Sequence, residues 1–578
     1  MGAHGRFTMK LPRVTWTRAA MVGSVVLCLA RLPFSRFFAD DFFLLGELEG
    51  VSPLPGRPPF WLYALADGNP AHLRRLENIG VWPWFFDDRF RMNFCRPLGS
   101  ALIAVDHWLF GLRPLGYIVH NCLWYLVLIA AVARLFQQKL PRRVAGPAMF
   151  IYATSGIFHL AVGWTAARPH VAAAAIAAWA YVSWTASHQG GRVGSRYRWL
   201  AVGGFALGLG FSESGFIMMA YPVVEEAWGR DWRGSLRRLA PLLALATMYL
   251  ALYFGLGFGA QHGGGYTSPF SQPGTFLIDA PLRAATLATS LLLSGASDLG
   301  MVSSFGRTAL AMLAPLALAA LAFAYRSTMP LLPRSERDVV DRLLEGTVAC
   351  SLPLLAAPMF SFHLVIPFIG VAAFAAHVLV AREPRGVPNS QRTGVLVSSA
   401  LAGGLFLGLG PASRLLMPAL TNQVLADRTE KAVAHLDAEV QGLDHTRIVV
   451  LNAPDILAAL DIGHVRRLMR LPMPSTWWTL YLGKGEMVFS RPAANVFTLD
   501  WRTGGIAPTT RDAGDVVELE GADIEVTHKE GSRITGIRCR LDRPLDDAAW
   551  RFLTWRDGSL HLIDVPPTGG SLVVLAGS

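Results

Sequence analysis

Phe37-Phe38-Ala39-Asp40-Asp41-Phe42-Phe43-Leu44 is a pair of adjacent carboxylates set in aromatic sequence, directly after the first apolar segment, Ala19 to Phe34. If that segment enters a bilayer, the two acids stand at the lipid–water boundary, where an ionised group is costly unless it has a task. Composition says that it does. The chain has 578 residues, 52% hydrophobic and 16% charged, with mean hydropathy +0.37. Soluble domains carry about a quarter charged residues, so this is a polytopic α-helical membrane protein. The net charge of +11 comes from arginines in short loops between apolar runs. That is a signature of orientation in a membrane and excludes a nucleic-acid partner.

Outward from the acids, the chain reads as about eleven spans. Arg6, Lys10, Arg13 and Arg18 precede span 1 without a small-residue cleavage site, so an uncleaved signal anchor is expected. The first outer loop, 35–113, contains an amphipathic stretch, Arg96 to Gly111, expected to lie on the membrane surface. Spans then follow at Leu115–Phe136, Val144–Trp164, Val171–Ala186, Trp199–Phe211, Gly215–Trp228, Leu239–Phe258, Thr308–Tyr325, Leu343–Pro358, Phe362–Ala381 and Val395–Leu409. Pro281–Ser294 is apolar too. A crossing there would put Arg326, Arg334, Arg337 and Arg342 on the same side as the acids, so it is placed at the outer surface. The loops after the spans, with Arg382, Arg385 and Arg392 among them, set the N-terminus inside and the C-terminus outside. The domain expectation is a transmembrane unit over 1–411, a helical connector over 412–445, and an extracytoplasmic β-rich domain over 446–578. Strand candidates in the last include Arg447–Leu451, Asp515–Leu519, Asp523–Thr527 and Ser571–Leu575, with a hairpin turn at Asp557-Gly558.

The outer face collects chemistry-bearing residues: Asp40 and Asp41, then Arg96 with Asp87, Asp88, Arg89 and Arg91 in the first loop. His159 and Arg168 flank a turn between spans, Glu213 sits in the hinge Ser212-Glu213-Ser214, and His363 opens a later span. Moving a sugar from a lipid phosphate to a hydroxyl needs a base for the acceptor proton and cations for the leaving phosphate. Bland readings stand beside these: solvated loop charges for the acid pair, a snorkelling side chain for Arg168, a surface ion cluster for Asp87-Asp88-Arg89, a structural histidine for His159. The cysteines show no paired spacing. No His/Asp/Glu set is read at helical metal-ligand spacing, so no metal site is assigned and a divalent ion is left open to loop carboxylates alone.

The order of these elements resembles the GT-C membrane glycosyltransferases, in particular protein O-mannosyltransferases and the tetratricopeptide-bearing transmembrane O-mannosyltransferases. Asp40-Asp41 resembles their first-loop acidic pair. Arg96-Pro97-Leu98 through Asp106 to Gly111, with Pro114–Tyr117 and His120-Asn121, is similar to their loop helix and second span. Val162-Gly163-Trp164-Thr165-Ala166-Ala167-Arg168 resembles their turn ending in Arg, and Phe211-Ser212-Glu213-Ser214 their hinge. Departures are Ser212 where the hinge has Lys, Leu160 for Glu, and His170 at a usually acidic place. The resemblance implies a polyprenyl-phosphate monosaccharide donor, transfer on the extracytoplasmic side, and Asp40 as base, with Asp41 beside it. On this reading Arg168, helped by Arg96, binds the donor phosphate, while Glu213, His159 and His363 support the site. The acceptor is a protein, glycan or lipid hydroxyl, and the setting is a bacterial inner membrane. The rival classes are a transporter or flippase of lipid-linked sugars and an inactive scaffold. A transporter would gather ionisable groups near the midplane in two related halves.

Overall fold

A computed structural model describes residues 15–53, 58–229, 231–262, 265–298, 304–381, 389–483, 485–506, 511–531 and 533–576. Arg6, Lys10, Arg13, Arg382 and Arg385 lie outside them. Among the described residues five helices are long and apolar enough to cross a membrane: Trp16–Phe34, Pro114–Lys139, Trp232–Gly255, Gly306–Leu331 and Gln391–Glu439. Their outer faces carry bare hydrophobic side chains, such as Met248, Leu252, Met312, Leu316 and Leu416, all more than half exposed. Water would not tolerate that surface and lipid requires it. This is an integral membrane protein.

The count of about eleven spans is not reached by length and composition, because several apolar runs are interrupted. The run expected as one span over Val144–Trp164 splits into Arg142–Thr154 and Phe158–Gly163. Ser155 between them is extended, and its hydroxyl accepts from Ile157 N. The run from Phe362 becomes a tight turn, Ser361–Val365, and a 13-residue helix, Phe368–Val380. The helix Arg168–Ala186 is buried along nearly its whole length. Its alanines let Gly191–Phe211 lie against it, and a Cβ on Gly204 would meet Ala180 Cβ at 2.9 Å. Small residues on facing helices allow this approach. The surface stretch in the first loop is a helix, Pro97–Phe110.

Beyond the last span the helix does not stop. Gln391–Glu439 runs 49 residues, through π-helical turns at Gly403–Leu409 and Asn422–Ala426, and delivers the chain to a β-rich domain. There Ser571–Ala576, Gly485–Ala493, Val496–Thr503, Arg533–Leu541, Ala522–Glu530 and Val516–Leu519 form an antiparallel sheet in that spatial order. A second sheet orders Ser559–Leu562, Trp550–Arg556, Arg447–Val450 and Thr476–Thr479. Trp550–Arg556 and Ser559–Leu562 form the expected hairpin, with both turn residues at positive φ, Asp557 at 51° and Gly558 at 78°. Arg447–Val450 and Thr476–Thr479 are parallel, so a crossover must join them, and it is the helix Ile456–Leu468.

This domain is locked to the first outer loop. Trp84 and Phe85 belong to its hydrophobic core, and Trp84 Nε1 donates to Leu480 O at 3.2 Å. Arg74 donates to Glu518 O, Asn78 accepts from Glu520 N, Arg467 donates to Ile79 O, and Arg511 pairs with Asp88. Asp88 is thus an inter-domain contact, whereas Asp87 keeps the local pairing with Arg89. Gly80 makes the closest approach, at φ 71°, and a Cβ there would lie 2.5 Å from Trp477 O. Gly80→Ala is therefore expected to cost ~2 kcal/mol or more through strain and overlap. It should lower the thermal midpoint and open loop 58–95 to protease; an unchanged midpoint would show that the loop is not docked.

Candidate active site

The acidic pair begins the helix Asp40–Leu48, where the free backbone N–H groups favour negative charge. The residue before it, Ala39, is turned to φ 52°, a strained region for a residue with a Cβ. That turn sends the two acids different ways. Asp41 is buried and accepts from Ala166 N at 2.8 Å and Phe38 N at 3.4 Å. Burial pushes its carboxyl up to about 8. It ties the first loop to the turn before Arg168 and does not line the cavity. Asp40 does. Its carboxylate has no hydrogen-bond or ion-pair partner among the described residues and faces a cavity of about 1110 Å³. Burial pushes it up to about 6, partly offset by the charge of Arg96.

Arg96, Glu213 and His363 also line this cavity. Arg96 Nε donates to Glu213 Oε2 at 2.9 Å, and its guanidinium lies over the rings of Phe94 and Tyr63, 4.5 and 4.9 Å from their centroids. Tyr253 and Ser212 hydroxyls donate to the same carboxylate. Glu213 therefore fixes the Arg96 head, and the hinge that carries it is held by Ser212 and Ser214 hydroxyls 2.9 and 2.8 Å from His170 Nδ1. His170, His363 and Phe362 form one ring cluster on the cavity wall.

Two expected site residues lie elsewhere. Arg168 is fully buried and outside the cavity lining. Its guanidinium pairs with Asp106 and donates to Asn121 Oδ1 at 2.5 Å and to Tyr117 O at 3.1 Å, so each of its three nitrogens is engaged within the protein. His159 is buried, with Nδ1 3.2 Å from both Gly156 O and Asp298 Oδ2, the structural histidine of the bland reading.

In their place the structure supplies groups that sequence reasoning did not single out. The helix Ile456–Leu468, capped by Asp455, brings Asp461 to the cavity, where its Oδ2 accepts from Ala39 N at 3.3 Å. Burial, with the charge of Asp40, pushes the Asp461 carboxyl well above the ordinary carboxylate range. The Asp cap before an apolar run was the sequence signal for this helix; nothing signalled its destination. Arg283 and Arg307 line the same cavity. Arg283 is held by Thr267, Leu355 O, Gly265 O and Asp279. Arg307 is exposed and has no ion pair among the described residues.

No family model matches the chain, and no curated protein does. Solved structures do. ArnT from Cupriavidus metallidurans, bound to undecaprenyl phosphate, is similar over 79% of this chain and 85% of its own, at 13% identity and TM-score 0.42. The oligosaccharyltransferase AglB from Archaeoglobus fulgidus, in complex with an inhibitory peptide and a dolichol-phosphate, is similar over 79% and 64%, at 11% identity and TM-score 0.40. Arabinofuranosyltransferase AftD from Mycobacteria is similar over 80% and 33%, at 15% identity and TM-score 0.33. All three are GT-C glycosyltransferases, the class that the sequence resembles; an O-mannosyltransferase is not singled out. Likeness at these scores assigns no role to any residue here.

Helical metal-ligand spacing, absent from the sequence reading, is present after all. His435 and Glu439 stand one turn apart on the helix Asp427–Glu439, and His561 joins them. The ligand atoms of the three lie within 4.8 Å of one another. None of the three lines the cavity.

Proposed function

We propose that the protein is a membrane glycosyltransferase of GT-C type. It moves a monosaccharide from a polyprenyl-phosphate donor to an acceptor hydroxyl of a protein, glycan or lipid on the extracytoplasmic face. The observation that carries this reading is the unpartnered Asp40 carboxylate in a large cavity that also presents Arg96, Arg283 and Arg307. Asp40 accepts the acceptor hydroxyl's proton as the acceptor oxygen bonds to the anomeric carbon. The bond from that carbon to the phosphate oxygen breaks, and polyprenyl phosphate leaves with the electron pair. Arginine charge on the cavity wall, with Arg96 and Arg283 held in place, neutralises the leaving group. Arg307 takes the phosphate role in place of the buried Arg168, because it alone of the three cavity arginines has no pairing partner among the described residues. Glu213 positions Arg96, and Asp461 holds the Ala39 backbone that turns Asp40 toward the cavity. A transporter would keep its charges at the midplane; these are walled by the first outer loop and the C-terminal domain.

The test is purified protein with a panel of polyprenyl-phosphate sugars and envelope acceptor fractions, read as released polyprenyl phosphate by mass spectrometry. Acceptor-dependent release is expected with one class of donor, and Arg307→Ala should raise the donor KM about 10-fold with an unchanged thermal midpoint. Absence of release across the panel, or an unaltered KM in the variant, would count against the reading and against this phosphate site respectively.

A further inference from the structure

We propose that His435, Glu439 and His561 form a divalent transition-metal site, with zinc as the fitting ion, that clips the helix leaving the membrane to the C-terminal sheet. His435 and Glu439 lie on one face of Asp427–Glu439, and His561 on the edge strand Ser559–Leu562 beside it. His435 Nε2 is 3.1 Å from Glu439 Oε1 and 3.1 Å from His561 Nδ1, and His561 Nδ1 is 3.6 Å from Glu439 Oε1. Zinc bonds of 2.0–2.1 Å at tetrahedral angles place neighbouring ligand atoms about 3.3 Å apart. The three observed separations bracket that figure, so one ion can bond all three atoms at once.

Without an ion the same arrangement is poorly satisfied. A single N–H on His435 Nε2 cannot be directed at both Glu439 and His561, and 3.6 Å is too long for a hydrogen bond from His561 to the carboxylate. A cation accepts all three lone pairs. Leu562 N, 3.5 Å from Glu439 Oε2, faces the other carboxylate oxygen. The side chains are 35%, 28% and 25% exposed, which leaves a path for the ion and a fourth position for water. His435 and His561 are 126 positions apart. The ion would therefore cross-link the two segments that set where the domain sits on the membrane unit.

The experiment uses the full-length protein in detergent, purified through a tag without histidines, stripped with chelator and titrated with zinc chloride against a chromophoric chelator. About one equivalent should bind, with a rise of several degrees in the thermal midpoint. Glu439→Gln, which keeps the side chain's shape, should weaken binding ~100-fold while leaving the metal-free midpoint unchanged, and the double variant H435N/H561N should abolish it. Failure of the wild type to take up zinc would overturn the proposal, as would equal uptake by the double variant.

Discussion

Asp40→Asn is expected to reduce transfer about 10³-fold, the usual contribution of a positioned general base, in a protein that folds at least as well as the wild type. The reason is that Asp40 makes no internal bond and is ionised at a place that resists ionisation. Its folded value of about 6 stands above the ordinary carboxylate value of about 4. The folded state thus binds the proton more tightly than the unfolded chain does. The destabilisation is full above about pH 6 and fades as pH falls towards about 4. The asparagine variant lacks it, so its thermal midpoint should exceed the wild type's at neutral pH and converge with it in acid. Catalysis runs the other way. The base must be ionised, so wild-type kcat should fall on the acid side with a limb near pH 6. Full transfer by the purified variant would remove Asp40 from the mechanism, and equal midpoints at neutral pH would show that its charge carries no penalty.

Arg168→Ala is expected to fail for a different reason. Removing this guanidinium leaves Asp106 buried with only the His120 ring, 2.6 Å away, beside it, and breaking a buried pair from one side costs about 3–5 kcal/mol. Poor expression or a collapsed thermal midpoint should result, and loss of transfer would then say nothing about phosphate binding. The informative protein is the double variant Arg168→Met with Asp106→Leu, which removes both charges and leaves only the neutral Asn121 Oδ1, Tyr117 O and the His120 ring to repack around them. Replacing both partners is often neutral, so this protein should recover its midpoint and keep measurable transfer. A well-folded double variant with no detectable transfer at saturating donor would return Arg168 to the active site. The contrast with Arg307→Ala, which should alter donor KM alone, separates a structural arginine from a ligand-binding one.

These two arginines also show where sequence reasoning stops. That an acid pair follows the first span, that Glu213 sits in a break between apolar runs, and that a β-rich region follows residue 446 were all legible from local pattern. Strand positions and the Asp557-Gly558 turn were legible because their periodicity and turn chemistry are local. Which acid of the pair is free was not legible: Asp41 is tied down by Ala166 N, 125 positions away. Arg168 looked available because Asp106, Asn121 and Tyr117 come together only when Pro97–Phe110 and Pro114–Lys139 pack on it. Asp461 and the His435–Glu439–His561 group were missed for the same reason, since each is completed by a partner more than a hundred positions away. Apolar content also does not show where a run is interrupted: Val144–Trp164 is divided at Ser155, Gly156 and Ile157, between Arg142–Thr154 and Phe158–Gly163.

Asp461 reaches Ala39 across 422 positions of chain, which sets a clock on the fold. At synthesis rates of about 5–20 residues per second, the first carboxylate leaves the ribosome roughly 20–80 s before the second exists. Through that interval the nascent protein can settle in the bilayer with the Ala39 N–H still without the carboxylate that accepts from it. The cavity wall that Asp461 completes is therefore closed only once the final domain has been translated and seated.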